Sequence, residues 1–228
     1  MTSTTSTLFT RLVVALENGD ERGDVRRAAE LARQLRAELH GVLSQDPRLA
    51  ALAGFETLRE FRVLERAWSA TSGPDLAEAM ATRAEATRTM LHEACAAAGV
   101  AAGFEVVHAP VGEAISSVVT ASDIVLISYP GAASDGAAET LHRIEAIVGE
   151  TSAAVLLVPS VAPARPSGRV RPANAPPAVR APEALSDQFA GLAIVVERDL
   201  ARALDIVARG VTPVLIPNLG TAPEAANA

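Results

Sequence analysis

The sequence predicts an α/β domain built on a parallel sheet with helices on both faces. Short, β-branched apolar runs recur as far as Pro159, and longer stretches with apolar positions three and four apart separate them. That alternation is the pattern of strand–helix–strand units joined by right-handed crossovers. The text then changes. From Val161 to Pro182, Pro, Ala, Arg and Ser dominate, which leaves no place for a regular helix or a central strand.

The elements follow in order. Leu12 to Leu16 (LVVAL) is short and fully apolar, as a strand buried on both faces requires. A helix is expected over Asp24 to Leu39, with Ala28, Leu31, Ala32, Leu35 and Leu39 on one stripe, Asp24 as cap and Arg26 and Arg27 on the wet side. A brief strand, Leu39 to Leu43, closes at Asp46-Pro47. Arg48 to Ala70 reads as helix, its stripe formed by Leu49, Leu52, Leu58, Phe61, Leu64 and Trp68. Ser72-Gly73-Pro74-Asp75 starts a long helix, because proline suits a first helical position, and Gly99 ends it. A strand at Phe104 to His108 and a helix at Gly112 to Ala121 come next. The strand Ile124 to Ser128, a helix at Glu139 to Gly149 and the strand Ala154 to Val158 complete five strands.

Beyond the proline-rich stretch lies a small βαβ pattern: Gly191 to Val196, a helix from Asp199 to Arg209, and Pro213 to Pro217. A unit this small cannot bury its own faces and must dock on something. The expected organisation is a flexible start over 1–8, an α/β domain over 9–160 and a Pro/Ala/Arg-rich linker over 161–188. A C-terminal βαβ unit over 189–219 and a disordered tail over 220–228 follow.

Composition narrows the function. Net charge is −7 and the pI about 5.2, so no broad electrostatic grip on nucleic acid or anionic lipid is expected. No apolar run approaches the roughly 20 residues of a membrane span. Residues 1–7 lack the basic start and apolar stretch of a secretory signal, and Cys95 alone cannot form an internal disulfide; both favour the cytoplasm. All 20 Lys+Arg positions are Arg. Chemistry that needs a lysine Schiff base, a P-loop lysine or a lysine base is therefore excluded, and phosphate contacts must come from Arg, backbone N–H groups or helix N-termini.

The residues from Arg11 to Pro159 resemble the universal stress protein family. Arg11 to Leu16 followed by Glu17 is similar to its opening strand and the acidic residue after it. AAELARQLRAELHGVLSQDP resembles its first helix and second strand, Asp123-Ile124-Val125-Leu126-Ile127-Ser128 its fourth strand, and Ala153 to Pro159 its closing strand. The resemblance implies a doubly wound five-stranded parallel sheet of order 3-2-1-4-5, with a ligand crevice where strands one and four part. It also implies pairing of two copies through the closing strand. Nucleotide-binding members carry Gly-x-x-Gly after strand four and, further on, Gly-Ser or Gly-Thr opening the next helix. Here Gly131 fits the first glycine, Ser134 replaces the second, and Leu141-His142 falls on the helix-opening pair.

The leading expectation is therefore a non-catalytic accessory protein of the stress-response kind, with no cofactor, acting through oligomerisation and a protein partner. The alternative is a nucleotide sensor holding ATP or AMP with Glu17, Tyr129, Gly131, Ser134, Gly136 and His142. Tyr129 either stacks on a base or shapes a turn with Pro130. Glu17, Asp20 and Glu21 either hold a cation or form a solvated turn. His40, His92 and His108 are expected at surfaces or edges, and Cys95 as a buried small hydrophobe. Arg165, Arg169, Arg171 and Arg180 form a basic run that either docks on an acidic surface or is a solvated linker. A homodimer is expected through Ala154 to Val158 or the C-terminal unit, whose strands could extend either their own sheet or a neighbour's. An unpaired apolar edge would otherwise invite aggregation.

Overall fold

A computed structural model describes residues 8–16, 22–52, 59–62, 66–70, 73–130, 137–160, 171–172, 188–189, 194–209 and 212–217. The chain runs β1 (Arg11–Leu16), α1 (Arg22–Leu35), β2 (Glu38–Ser44), α2 (Pro47–Leu52), β3 (Arg59–Arg62), β4 (Ala67–Ala70) and α3 (Gly73–Ala98). It continues through β5 (Ala102–Val107), α4 (Val111–Val118), β6 (Asp123–Tyr129), α5 (Ala137–Glu150) and β7 (Ala154–Pro159). After β8 (Arg171–Pro172) come β9 (Val195–Val196), α6 (Leu200–Ala208) and β10 (Val214–Ile216).

The main sheet has the order β5-β2-β1-β6-β7-β10-β9-β8. Its first five strands are parallel and reproduce the expected 3-2-1-4-5 order. Apolar residues on each side of this sheet build two cores. One gathers Leu12, Leu39, Leu126 and Leu156 with α1 and the second half of α3, including Leu91 and the buried Cys95. The other gathers Val13, Val125, Ile127 and Val155 with Ile115 of α4, Ile144 and Ile147 of α5, and Ala203 and Val207 of α6. Both faces of the central strands are thus covered, which explains their unbroken apolar text.

The C-terminal unit settles onto its own sheet. β10 pairs antiparallel with β7, β9 pairs parallel with β10, and β8 pairs parallel with β9. Of the two dockings left open by the sequence, the chain adopts the intramolecular one. Pro172 stands in the outermost strand, where its missing N–H disrupts no ladder further out.

Three expectations need correction. The stretch from Arg48 to Ala70 is not one helix: α2 ends at Leu52, and β3 and β4 form an antiparallel pair with Phe61 opposite Trp68. The three-and-four spacing of Leu, Phe and Trp mimics a helical stripe, yet aromatic residues are also strand formers and sit opposite each other here. Arg66 takes left-handed backbone, φ 49°, immediately before β4, while Leu58 and Leu64 lie outside the described residues.

The second correction concerns α1, which ends at Leu35 rather than Leu39. Arg36 takes φ 54°, and the bonds Arg36 N→Arg33 O and Ala37 N→Ala32 O close the helix as a glycine usually would. Gly99, at φ 70°, sits in the equivalent closure of α3, with Gly99 N→Ala96 O and Val100 N→Cys95 O, as its residue type suggests. Third, Asp24 is not the cap of α1 but lies within its first turn.

Gly41 shows how tightly β2 packs. A Cβ there would lie 2.8 Å from Leu91 Cδ2 and 2.9 Å from Leu16 Cδ1, and both leucines are buried. Either methyl must shift within a closely packed core to admit it. Gly41→Ala is therefore expected to lower stability by about 1–3 kcal/mol through overpacking, read from the urea midpoint at unchanged slope.

Candidate functional site

β1 and β6 are neighbours, while the chain leaves them in opposite directions: α1 leads to β2 on one side and α5 leads to β7 on the other. Their carboxyl ends therefore mark the topological switch point, where open sheets of this kind form a crevice. Glu17, Gly131, Ser134 and Gly136, together with Asp20 and Glu21, lie outside the described residues. So do Arg165, Arg169 and Arg180 of the basic run.

Two candidate residues are placed. Tyr129 is 7% exposed and packs in the core on the α4–α5 side, in the same row as Val125 and Ile127. Its ring is a packing group in that core. Its carbonyl accepts a hydrogen bond from Ser160 N at 2.9 Å, tying the exits of β6 and β7 together. His142 is exposed, and it lies beyond the first turn of α5, which opens at Ala137. The orphan N–H groups of that helix belong to the residues from Ala137 onward, not to the Leu141-His142 pair. Tyr129 faces the core and His142 faces solvent, so the two do not form one surface.

A residue that the sequence placed on the wet side stands at the strand ends instead. Arg27, on α1, donates through Nη1 to the carbonyl of Ser160 and through Nη2 to Asp24 Oδ1 at 2.7 Å. The guanidinium thus links α1 to the chain just beyond β7. The one local signal is the Asp24–Arg27 spacing of three, which fits a helix-surface ion pair.

At the opposite end of the sheet lies a second polar group. Asp123, opening β6, is 2% exposed and is held by Arg11 of β1 in a two-pronged contact, Nε to Oδ1 at 3.1 Å and Nη2 to Oδ2 at 2.7 Å. Thr120 adds its N–H and hydroxyl, at 2.7 and 3.0 Å. Burial alone pushes the Asp123 carboxyl up, but the Arg11 and Thr120 hydrogen bonds and the Arg11 charge outweigh it and hold it below the usual aspartate range.

His40 of β2 stands nearby and is largely buried, not at a surface. Nδ1 is 4.0 Å from Glu38 Oε1, and Nε2 is 3.9 Å from Glu105 Oε2 without a hydrogen-bond partner. Gly103 makes room for it, since a Cβ there would sit 2.2 Å from His40 Nδ1. Burial lowers its pKa first and the Arg11 charge second, against the opposing carboxylates of Glu38, Glu105 and Asp123, so the ring favours the neutral state. These groups lie at the amino ends of the strands, away from the crevice, and act as a structural knot. Among the described residues no group of three or more His, Cys, Asp or Glu is arranged for a metal, and no helix is long and apolar enough to cross a membrane. His92 and His108 are exposed.

Strand order and crossovers define a doubly wound α/β protein of the 3-2-1-4-5 class, extended at one flank by an antiparallel joint. No family model matches the sequence, and no curated protein matches it. Solved structures do show similarity. One is a universal stress protein in complex with cAMP, with 13% identity and a TM-score of 0.44 over 67% of this chain and 98% of that one. Another is a protein from the universal stress protein family from Burkholderia pseudomallei, with 17% identity and a TM-score of 0.44 over 68% of this chain and 98% of that one. Likeness of that degree adds nothing to the strand order, which defines the fold class by itself.

Proposed function

We propose that this chain is a non-catalytic accessory protein of the universal-stress-protein kind, acting in the cytoplasm by binding protein partners, with ATP binding impaired or absent. The observation that supports this reading is that the placed side chains near the strand ends are already engaged within the chain. Arg27 is committed to Ser160 O and Asp24, and the Tyr129 ring is packed in the core. Self-association of the intact chain runs, on this reading, through the C-terminal unit, because both edges of β7 are already paired within the chain.

Isothermal titration with ATP and with AMP tests it. The expected result is no saturable heat tighter than about 1 mM, or roughly 4 kcal/mol. Saturable micromolar binding of either nucleotide overturns the reading. A nucleotide turnover that disappears with Glu17→Ala would make the protein an enzyme instead.

One observation favours the second reading, an adenine-nucleotide sensor. The 14-residue helix α5 starts at the switch point, directly after the segment leaving β6, and its positive dipole end suits an anion. Arg27→Ala separates the two readings. If Arg27 merely fills a vestigial crevice, the variant binds AMP no better than the parent; if it gates a working site, affinity for AMP changes at least about tenfold.

A further inference from the structure

The His40 ring occupies space that Gly103, its partner across the β2–β5 ladder, leaves by having no side chain. A Cβ on Gly103 would lie 2.2 Å from Nδ1 and 2.9 Å from Cε1. The His40 side chain is 13% exposed, and its Nε2 is buried without a hydrogen-bond partner. Glu105 Oε2, 3.9 Å from Nε2, and Glu38 Oε1, 4.0 Å from Nδ1, both stand beyond hydrogen-bond range. Four charged groups face the ring: Glu38 on its own strand, Glu105 on β5, Arg11 on β1 and Asp123 on β6. The Glu38 and Glu105 side chains are 43% and 54% exposed, so water weakens their pull on an imidazolium, and Asp123 is already engaged by Arg11 and Thr120. Both nitrogens of a charged ring are donors, so protonation makes Nε2 a buried donor with no acceptor in range.

The strand beside this ring is weakly held. Among the described residues β5 pairs with β2 alone, so one ladder retains it, and none of its six residues is fully buried. β2 lies between two ladders. Opposite His40, β5 offers only Gly103, which has no side chain to pack.

We propose that proton uptake at His40 opens the amino end of the β2–β5 seam, so that the edge strand lets go there in mild acid while the rest of the sheet stays folded. Opening gives Nε2 to water, and the open seam therefore binds the proton more readily than the closed one. Burial, with the Arg11 charge second, holds the closed-state ring below the ordinary histidine value of 6.5. The closed seam is thus fully favoured above that value and loses ground as pH falls through it. His40 lies at the opposite end of the sheet from the crevice, so the seam responds to acid whatever the crevice binds.

Two amides bracket the seam and test it. Leu39 N donates to Ala101 O at 3.0 Å beside His40, and Gln45 N donates to Val107 O at 2.9 Å at the far end. Hydrogen exchange of the full-length protein, read by NMR as protection factors at a series of pH values, follows both. Below the ordinary histidine value the Leu39 factor is expected to fall by close to tenfold per pH unit, the limit for one proton, while the Gln45 factor holds. His40→Gln carries no titrating proton and is expected to flatten the Leu39 profile. If circular dichroism shows that His40→Gln does not fold, Glu105→Gln takes its place. It removes one attraction for the proton in the closed seam, so the Leu39 fall should extend to lower pH. A flat Leu39 profile in the parent, or a fall shared equally by Gln45, overturns the proposal. So does a fall that survives His40→Gln, or, where that variant is unfolded, one that Glu105→Gln leaves unmoved.

Discussion

Arg11→Met is expected to cost about 3–5 kcal/mol of stability at neutral pH, because it strands the Asp123 carboxylate in a buried site with only Thr120 to satisfy it. Methionine keeps most of the apolar stem of arginine, so the loss reports the charge and its three hydrogen bonds, two to Asp123 and one to the Val118 carbonyl, rather than lost packing. Pairing the change with Asp123→Asn, which keeps an acceptor for Thr120 N, is expected to restore a large part of the loss. The pH dependence follows from the same pair. In the parent the folded-state carboxyl of Asp123 is depressed, so its contribution is present above the unfolded aspartate value and is lost as pH falls through the folded one. His40 adds a loss at higher pH: its neutral form is favoured in the fold, so stability declines as pH drops below the ordinary histidine range. Without Arg11, only the Thr120 hydrogen bonds still hold the Asp123 carboxyl down while burial continues to push it up. The gap between parent and Arg11→Met should therefore narrow on acidification through the carboxylate range, as urea unfolding at a series of pH values would show. A gap that stays constant, or a loss under about 1 kcal/mol at neutral pH, would show that the pair does not hold β1 to β6.

Phe189→Ala is expected to cost a similar 3–5 kcal/mol, the usual range for emptying a core aromatic site. Phe189 is 1% exposed and meets Phe9 edge-on, with centroids 6.3 Å apart and planes at 77°. Its neighbour Gln188 accepts from Phe9 N at 3.0 Å and donates to Phe9 O at 2.6 Å and to Leu35 O at 3.3 Å. This two-residue clasp fastens the approach to the C-terminal unit against the start of β1 and the end of α1. Its loss is expected to show first as faster tryptic cleavage at Arg198 and Arg209, before any change at Arg33 or Arg88. Uniform acceleration at all four sites would instead mean that Phe189 supports the whole fold and not the docking of its last unit.

The parallel strands were legible because burial on both faces leaves no polar alternation to misread, and the order of the first five agrees with the expectation. The end of α1 was not. Arg36 adopts a backbone conformation that is normally given to glycine, and nothing in its residue type announces it. The β3–β4 pair was misread because spacings of three and four among Leu, Phe and Trp satisfy a helical stripe as well as a cross-strand pair. Tyr129 shares the parity of Val125 and Ile127, so counting along β6 would have assigned it to the core, a step the reading of it as a stacking or turn residue did not take. Arg27 could not be found that way. Its carbonyl partner is 133 positions away, and only the folded sheet brings the two together.

At the flank formed by β8, two residues stand in the ladder, and the second has no amide hydrogen to give. A further strand laid on these two residues would find no donor at Pro172 to set against the chain freedom it lost. Pairing of another copy onto these two residues is thereby disfavoured.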